Sequence, residues 1–461
     1  MSISAFEVIP SAKRLVKSLR DMGYEFAAAV ADIVDNSIEA KASVVRIDVG
    51  WQDEAAFVAI ADNGNGMSAT ELREAMRFGS EREYDSDDLG KFGLGLKTAS
   101  MSQCAKLTVA SRQNNNRADI SAYCWDLDHV EATNRWEILQ VPTAELISSV
   151  RQPLKEATGT VVLWERLDRI LGYKKPTGEF ARKHLATMCR EMEEHLAMVF
   201  HRFLAGEVRG KKLTIYLNNN KISPWDPFAR DEAATAKLDA VSIRVEGESA
   251  RADVVLEPYV LPTQSQFSSS AAHGRASGPA KWNRQQGFYI YRADRMVQSG
   301  GWSGLRTLDE HSKLARVALS FSPRLDEIFK INVPKMRVVL PVSIRAEIDK
   351  AIIPALRIAN AAYRQGERKT TTVVHAPAPQ IPVPRPIPKG AKVVDADITD
   401  DDHRDAEANL ASGGQSLLPT TTGSHNAELE KVGKLLARVS RPDELPVVQR
   451  VLARARQTLG N

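Results

Sequence analysis

The run Ala31-Asp32-Ile33-Val34-Asp35-Asn36-Ser37-Ile38-Glu39-Ala40 sets three carboxylates and an amide at short intervals. Wound as an α-helix at about 100° per residue, Asp32, Asp35, Asn36 and Glu39 share an arc of about 100°, and Val30, Ile33, Val34 and Ile38 fall outside it. A solvated helix face normally mixes Lys and Arg with its acids, and this face carries neither. Carboxylates and an amide clustered without a protein counter-charge suit a metal site or a general base. The rival reading is an amphipathic helix with an acidic face. Further on, Asp62-Asn63-Gly64-Asn65-Gly66-Met67 follows an apolar strand pattern and precedes a helix that Ser68 is placed to cap. Two glycines beside an Asp let a planar ligand approach the backbone closely, and the carboxylate can accept from an exocyclic amine. The same residues also make an ordinary strand-to-helix turn.

A third stretch, Gly90-Lys91-Phe92-Gly93-Leu94-Gly95-Leu96-Lys97-Thr98-Ala99-Ser100, puts three glycines before an apolar helix start. Backbone amides at such a helix N-terminus suit phosphate oxygens. The spacing is neither that of a Walker A loop nor that of a dinucleotide GxGxxG motif. A fourth feature, Gly159-Thr160, opens a strand and means nothing in isolation. In this order, an acidic-amide helix, strand–DxGxG, a GxxGxG lid and Gly-Thr on a strand, the four together resemble the GHKL ATPases. That superfamily contains DNA gyrase B, the ninety-kilodalton heat-shock chaperones, sensor histidine kinases and MutL. The run 90–102 looks most like microrchidia (MORC) ATPases and their bacterial relatives, and 35–40 also looks like the MutL pattern. The resemblance covers about residues 8–360.

The resemblance implies an α+β chain. It would comprise a Bergerat-fold α/β sandwich, a mixed sheet with helices on one face, followed by a transducer-like domain. It implies that Asn36 coordinates Mg²⁺ bridging the phosphates of ATP. Magnesium takes few protein ligands beside phosphate and water, so one amide suffices. It implies that Asp62 accepts from the adenine amino group, with Thr160 in support through a water, and that Gly64, Gly66 and Met67 line the base. Gly90, Gly93, Leu94, Gly95 and Leu96 would present amides to the phosphates, and Lys97 would add charge. The general-base position falls on Asp32. Many relatives carry Glu there. The shorter Asp draws the attacking water closer or shifts the backbone, which bears on the rate more than on the role. Asp35 is the other candidate, and its place beside Asn36 suits it to orienting that amide. Gly287-Phe288-Tyr289-Ile290-Tyr291-Arg292 with Gly300-Gly301-Trp302 resembles the transducer domain of MutL-like and MORC-like proteins. The segment 331–338 resembles the MutL strand whose lysine reaches the γ-phosphate, a role that falls here on Lys335. The rival reading of Lys335 is a surface lysine.

Periodicity predicts the elements that position these residues. Helices are expected over 10–20, 24–42 and 69–78, and strands over 43–50, 55–61, 106–111 and 159–165, in an ATP-binding domain 1–172. A second α+β domain, 173–365, would hold a long helix 179–204, strands 212–217, 253–261, 287–291, 314–321 and 328–333, and a helix 342–363. Its Ser-, Gly- and Ala-rich stretch 264–286 reads as a mobile loop. A Pro-rich and then acidic linker, 366–424, leads to a helical C-terminal segment, 425–461.

Composition sets the outer bounds. A chain of 461 residues suggests two or three domains. With 62 Lys+Arg against 58 Asp+Glu, its net charge of +4 excludes a histone-like polycation but allows a local basic groove. Its three cysteines share no CxxC spacing, which argues against a disulfide framework or a zinc module. No stretch approaches the ~18 apolar residues of a membrane span, and residues 1–17 carry charges where a secretory segment is apolar. A cytoplasmic protein without a membrane partner is expected. The implied function is a Mg²⁺-dependent ATPase whose lid closes on ATP and pairs two protomers as a clamp or switch on DNA or protein. Its bacterial relatives point to phage defence or DNA maintenance. A nucleotide-binding regulatory or scaffold protein without turnover is the alternative. A histidine kinase is disfavoured, because no helical hairpin with a phosphoacceptor His precedes the ATP domain. No MutL-type nuclease segment appears. The loop 275–284, with Lys281 and Trp282, offers either charge and stacking to nucleic acid or a solvated surface.

Overall fold

Side-chain alternation decides how the first sheet is used. Along β2 (Ala55–Asp62), Val58 and Ile60 enter one core while Ala59 and Ala61 enter another on the opposite face. In the computed structural model the residues described are 6, 8–21, 23–52, 55–79, 95–113, 120–155, 158–171, 178–246, 251–331 and 338–372. The linker and C-terminal segment expected over 366–461 lie outside them, apart from the end of one helix. Strand β2 pairs antiparallel with β1 (Val44–Gln52) and with β6 (Gly159–Glu165). The sheet continues through β3 (Lys106–Arg112), β4 (Ser121–Asp126) and the short β5 (Leu139–Gln140). Beyond β1 it gains β7 (Thr214–Leu217), the parallel neighbour, and β8 (Asn220–Lys221), giving the order β5-β4-β3-β6-β2-β1-β7-β8.

The larger core lies under helices α1 (Ala12–Arg20), α2 (Phe26–Glu39), α4 (Gly95–Met101) and α7 (Glu179–Val199). Helix α3 (Ala69–Met76) starts at a capping box. Ser68 Oγ accepts from the Glu71 amide, and the Glu71 carboxylate accepts from the Ser68 amide at 2.7 Å. Helix α5 (Leu127–Thr133) follows β4, and α6 (Ser148–Leu154) covers part of the opposite face with Val150 and Leu154. This is a mixed α+β layer with a large mixed sheet, as the GHKL resemblance implies.

The expected domain boundary at 172 does not hold for packing. Helix α7 lies against α2, and Thr214–Leu217 extends the first sheet by pairing with β1. Leu185, Met192, Leu196 and Ile215 belong to the first core, so the chain stays in the first layer to about Ile222. The expected helix 179–204 is also two helices. It breaks at Phe200, and α8 (His201–Leu204) follows.

The second sheet has the order β10-β11-β14-β12-β13, with β9 beside β11. These strands are β9 (Ala236–Lys237), β10 (Val241–Glu246), β11 (Arg251–Val260), β12 (Gly287–Arg292), β13 (Arg295–Ser299) and β14 (Ala315–Phe321). Helix α11 (Arg345–Thr372) buries Ile348, Ile352, Ala355 and Ala359 against the core of this sheet. The stretch expected as a mobile loop carries α9 (Ser270–Ala276) and α10 (Lys281–Arg284), and it buries Phe267, Ala272 and Ala276. Trp282 is half-buried and stacks on His273 at 4.7 Å, so its ring is committed inside the protein rather than offered to a base. The strand expected over 328–333 is a turn through 328–330 after a short 3₁₀ turn Pro323–Leu325, and 332–333 lie outside the described residues.

A two-residue turn joins β12 to β13. Ala293 and Asp294 both adopt positive φ, 47° and 66°, which brings Arg292 opposite Arg295. Arg292 is buried and bonded to both oxygens of buried Asp326, at 2.7 and 2.8 Å. Removing one partner of a buried pair strands the other charge. Asp326→Ala is therefore expected to lower unfolding free energy by about 3–5 kcal/mol. Chemical denaturation checks this, and a loss below about 1 kcal/mol would contradict it.

Candidate nucleotide site

Helix α2 is packed on most of its circumference, so the face each residue takes decides what it can do. Asp32 and Asp35 are 3% and 1% exposed, while Asn36, the next residue, lies on the surface. The absence of a counter-charge inferred from the acidic face is overturned. Arg295, itself 3% exposed, reaches α2 from β13. Its Nε lies 3.0 and 3.1 Å from the two Asp35 oxygens, and its Nη2 lies 3.5 Å from Asp32 Oδ1. The Tyr24 hydroxyl donates to Asp32 Oδ2 at 3.0 Å. Burial first, and the Asp32 charge second, push the Tyr24 phenol well above its usual range, which keeps it a donor. His195 on α7 also faces this cluster. Burial, with the Arg295 charge adding to it, lowers it to about 4 and leaves the ring neutral near pH 7.

Two links tie α2 to the loop after β2. Ser37 Oγ donates to Asp62 Oδ2 at 3.1 Å, and the Asn65 amide donates to the Ala40 carbonyl at 2.8 Å. The Gly64 amide donates to the other Asp62 oxygen at 2.8 Å. Burial raises Asp62 to about 6, and the donors Gly64, Ser37 and the Thr160 amide oppose that rise. Asp62 pairs with Thr160 across β2 and β6. The Thr160 hydroxyl lies 2.9 Å from Ser111 Oγ, which also accepts from the Met67 amide at 2.9 Å. Met67 is half-buried beside this network.

The glycines at 64 and 66 also meet a demand of the fold itself. A Cβ on Gly66, at φ 68°, would fall 1.9 Å from the Arg112 carbonyl oxygen. One on Gly64 would fall 2.7 Å from the Ala40 carbonyl oxygen. Both positions clear the protein's own backbone, so the loop can fold back onto α2 and β3.

Of the expected phosphate cradle, Gly90, Gly93 and Leu94 lie outside the described residues, and so does Lys335. Gly95 opens α4, with nothing within 4 Å of where its Cβ would stand, and Leu96 is half-buried. Lys97 departs from its expected role. It is 3% exposed, and its Nζ donates to the Ala75 carbonyl at 2.9 Å, tying α4 to α3. Burial lowers it to about 8.

The donor set fits a magnesium nucleotide. Among the described residues no group of three His, Cys, Asp or Glu could hold a metal, so an ion beside Asn36 would draw its other ligands from phosphate and water. An ionised carboxylate has about four acceptor sites. The protein donors on Asp62 leave room for an exocyclic amine. Tyr24, Ser37, Ser111, His195 and Arg295 were not singled out from sequence. The register of β3 with β6, which sets Ser111 opposite Thr160, emerges only in the fold.

Residues 24–160 match the family of histidine kinase-, DNA gyrase B- and HSP90-like ATPases. This segment is a GHKL ATPase domain. Its homologues include MORC proteins and MutL, at low identity. Over 94 residues, 19% of this chain, it is 32% identical to Protein MICRORCHIDIA 6 of Arabidopsis thaliana, covering 14% of that protein. Over 142 residues, 29% of this chain, it is 31% identical to DNA mismatch repair protein MutL of Crocosphaera subtropica, covering 24% of it. A MutL of Coxiella burnetii is 35% identical over 94 residues, 19% of this chain and 16% of that protein. The chain thus spans less than a quarter of the length of these relatives. No helix among the described residues is long and apolar enough to cross a membrane.

With Asp62 at about 6, its ionised form is the main one above that pH, and it alone offers a full acceptor set to an amine. Adenosine, which has no phosphate to titrate, is expected to bind about tenfold more weakly at pH 5 than at pH 7.5. Calorimetry at the two pH values checks this, and Asp62→Asn should abolish the dependence.

Proposed function

We propose that this chain binds ATP with Mg²⁺, hydrolyses it, and uses the cycle to close and pair two protomers as a clamp on DNA or a protein partner. The observation that carries the reading is the Ser37–Asp62 hydrogen bond, which joins the helix bearing Asp32 and Asn36 to the DxGxG loop. A group on the adenine side and a group on the phosphate side are thereby held in one rigid unit. Asp62 selects adenine by accepting from its amine, and a ligand without that amine leaves a half-buried acceptor unpaired. Asn36 holds the metal from the exposed side of α2, where the ion neutralises phosphate charge. Asp32, buried beside it, takes the proton of the attacking water. The amides at the start of α4, beginning at Gly95, favour the phosphates. Lys335 is assigned to the γ-phosphate from the resemblance alone.

Phe6, Val8 and Ile9 are 85%, 86% and 70% exposed. An apolar strip of this kind suits docking on a second protomer. Phage defence or DNA maintenance is the setting proposed for the clamp, and the cytoplasm its location. A second reading, nucleotide binding without turnover, is favoured by one observation. Asp32 is engaged by Tyr24 and faces Arg295 in the conformation described.

Asp32→Ala is expected to bind ATP and lose about 10²–10⁴-fold in hydrolysis rate. Asn36→Ala should lose the Mg²⁺ dependence of binding. Calorimetry with and without Mg²⁺, beside a phosphate-release assay, separates the two roles. Native turnover in Asp32→Ala would move the base elsewhere, with Asp35 next in line.

A non-hydrolysable ATP analogue, but not ADP, is expected to double the mass seen by light scattering. Deleting residues 1–9 should abolish the change. A monomer under saturating analogue would rule out the clamp, and so would a dimer indifferent to nucleotide.

A further inference from the structure

We propose that Arg295 is a positioning residue for Asp32, through which the β12–β13 hairpin of the second sheet sets the orientation and charge environment of the nucleotide site. The proposal rests on the reading of Asp32 as the base.

Its geometry is asymmetric. Two contacts near 3 Å bind the guanidinium to Asp35, and one of 3.5 Å reaches Asp32. One positive charge is thus shared between two buried carboxylates and held mainly by Asp35. The titratable groups facing Asp32 and Arg295 are Tyr24 ahead of α2, Asp35 on α2 and His195 on α7. Tyr24 donates as a neutral phenol, and His195 is neutral near pH 7, so of these groups Arg295 is the one that brings a positive charge to Asp32. At interior dielectric, an ion pair is steep in distance. A small movement of Arg295 therefore alters both the proton affinity of Asp32 and the direction in which it points.

The backbone carrying Arg295 is held by the second sheet and braced on α8. Arg292, opposite it in register, is bonded to Asp326. Tyr291 lies 2.8 Å from His201 Nε2, and Asp294 accepts from Arg202 at 2.9 Å. The Arg202 guanidinium stacks over the Tyr291 ring at 3.6 Å. The hairpin backbone is thus held from both layers, and Arg295 is a side chain through which a shift of the second sheet would reach Asp32. By linkage, a ligand that changes how Asp32 is held must also act on the hairpin.

The experiment uses the full chain and two readouts. The first is the pH profile of kcat at saturating Mg²⁺-ATP. Asp35→Asn leaves Arg295 to Asp32 alone, and the acid limb is expected to move down by about 1 pH unit. Arg295→Gln removes the counter-charge, and the limb is expected to move up by about 1 pH unit. Should Arg295→Gln fail to fold, Asp35→Asn/Arg295→Gln removes one charge of each sign, and the limb is expected to return close to the native one, above that of Asp35→Asn. The second readout is hydrogen exchange with a non-hydrolysable ATP analogue. Native protein and Asp35→Asn should change exchange over 287–299 when the analogue binds. Protein lacking the Arg295 guanidinium should bind the analogue and show no change there. A merely structural role predicts neither the opposite signs nor the silent hairpin. Limbs that stay put or move together overturn the proposal, and so does a hairpin response that survives loss of Arg295. Asp32→Ala keeps the outcomes apart. If it is inactive while the limbs stay put, this proposal alone fails; if it turns over ATP at the native rate, the base assignment fails with it.

Discussion

Burying two carboxylates one turn apart on a core helix is the constraint from which much of the arrangement follows. Asp32 and Asp35 are almost fully withdrawn from water, and each ion carries a desolvation penalty of several kcal/mol unless it is paired. Helix α2 carries no Lys or Arg from Phe26 to Glu39. The charge must come from elsewhere in the fold, on a side chain long enough to cross an interface and able to serve two acids. A guanidinium does this with several donors in a fixed fork. The need for Arg295 at that point places the tip of the β12–β13 hairpin against α2. The contacts around it, Tyr291 with His201 and Asp294 with Arg202, then fix the two sheets to one another. Asp32 and Asp35 thus tie helix α2 to the join between the layers.

The helix also sorts function by angle. Asn36 follows Asp35 by one residue, and the 100° step carries it from the interior to the surface. Ser37, one step further, returns inward and donates to Asp62. Three successive residues therefore hold the counter-charge, reach the surface and fasten the loop after β2. None of the three roles is available to its neighbour, because each depends on which side of α2 the side chain leaves. The glycines obey a similar geometry. Gly64 and Gly66 let the loop press onto Ala40 and Arg112, which holds the Asp62 carboxylate at the end of β2.

What was legible in the sequence is what local periodicity encodes. Asp32, Asn36, Asp62 and Thr160 could be placed on a helix, a strand end and the start of a second strand, because spacings of 3.6 and 2 residues are written in the residues themselves. Ser68 could be read as a cap from its own neighbours. Arg295 could not, since it meets Asp35 across 260 residues and its strand follows an Ala-Asp turn with no standard hairpin signature. The domain boundary was misplaced for the same reason. The parallel pairing of β7 with β1 is a distant contact that no window along the chain contains. Composition misled at 264–286, where Ser, Gly and Ala suggested mobility but Phe267, Ala272 and Ala276 fill a core. For Lys97 the residue type suited phosphate, yet the direction of the side chain, toward Ala75, is a tertiary fact.

The placement of the counter-charge has a consequence of its own. A Lys or Arg one turn along α2 would have offset the same carboxylates at all times, whatever the rest of the chain was doing. A counter-charge on a different sheet does so only while that sheet keeps its position. The α2 acids are therefore stabilised conditionally, and the condition is the docking of β12–β13 on α7 and α8. The buried pair between Arg292 and Asp326 works in the opposite way, since both residues belong to the second sheet and its following turn and stay together however that sheet moves. One arginine of the hairpin is committed to its own layer and the other to its neighbour, separated only by Ala293 and Asp294. That division anchors the turn in its own layer through one arginine and joins it to α2 through the other. It also adds a buried charge pairing, steep in distance, to the apolar cluster of Tyr289, Tyr291 and Met296 on which Met198 of α7 packs.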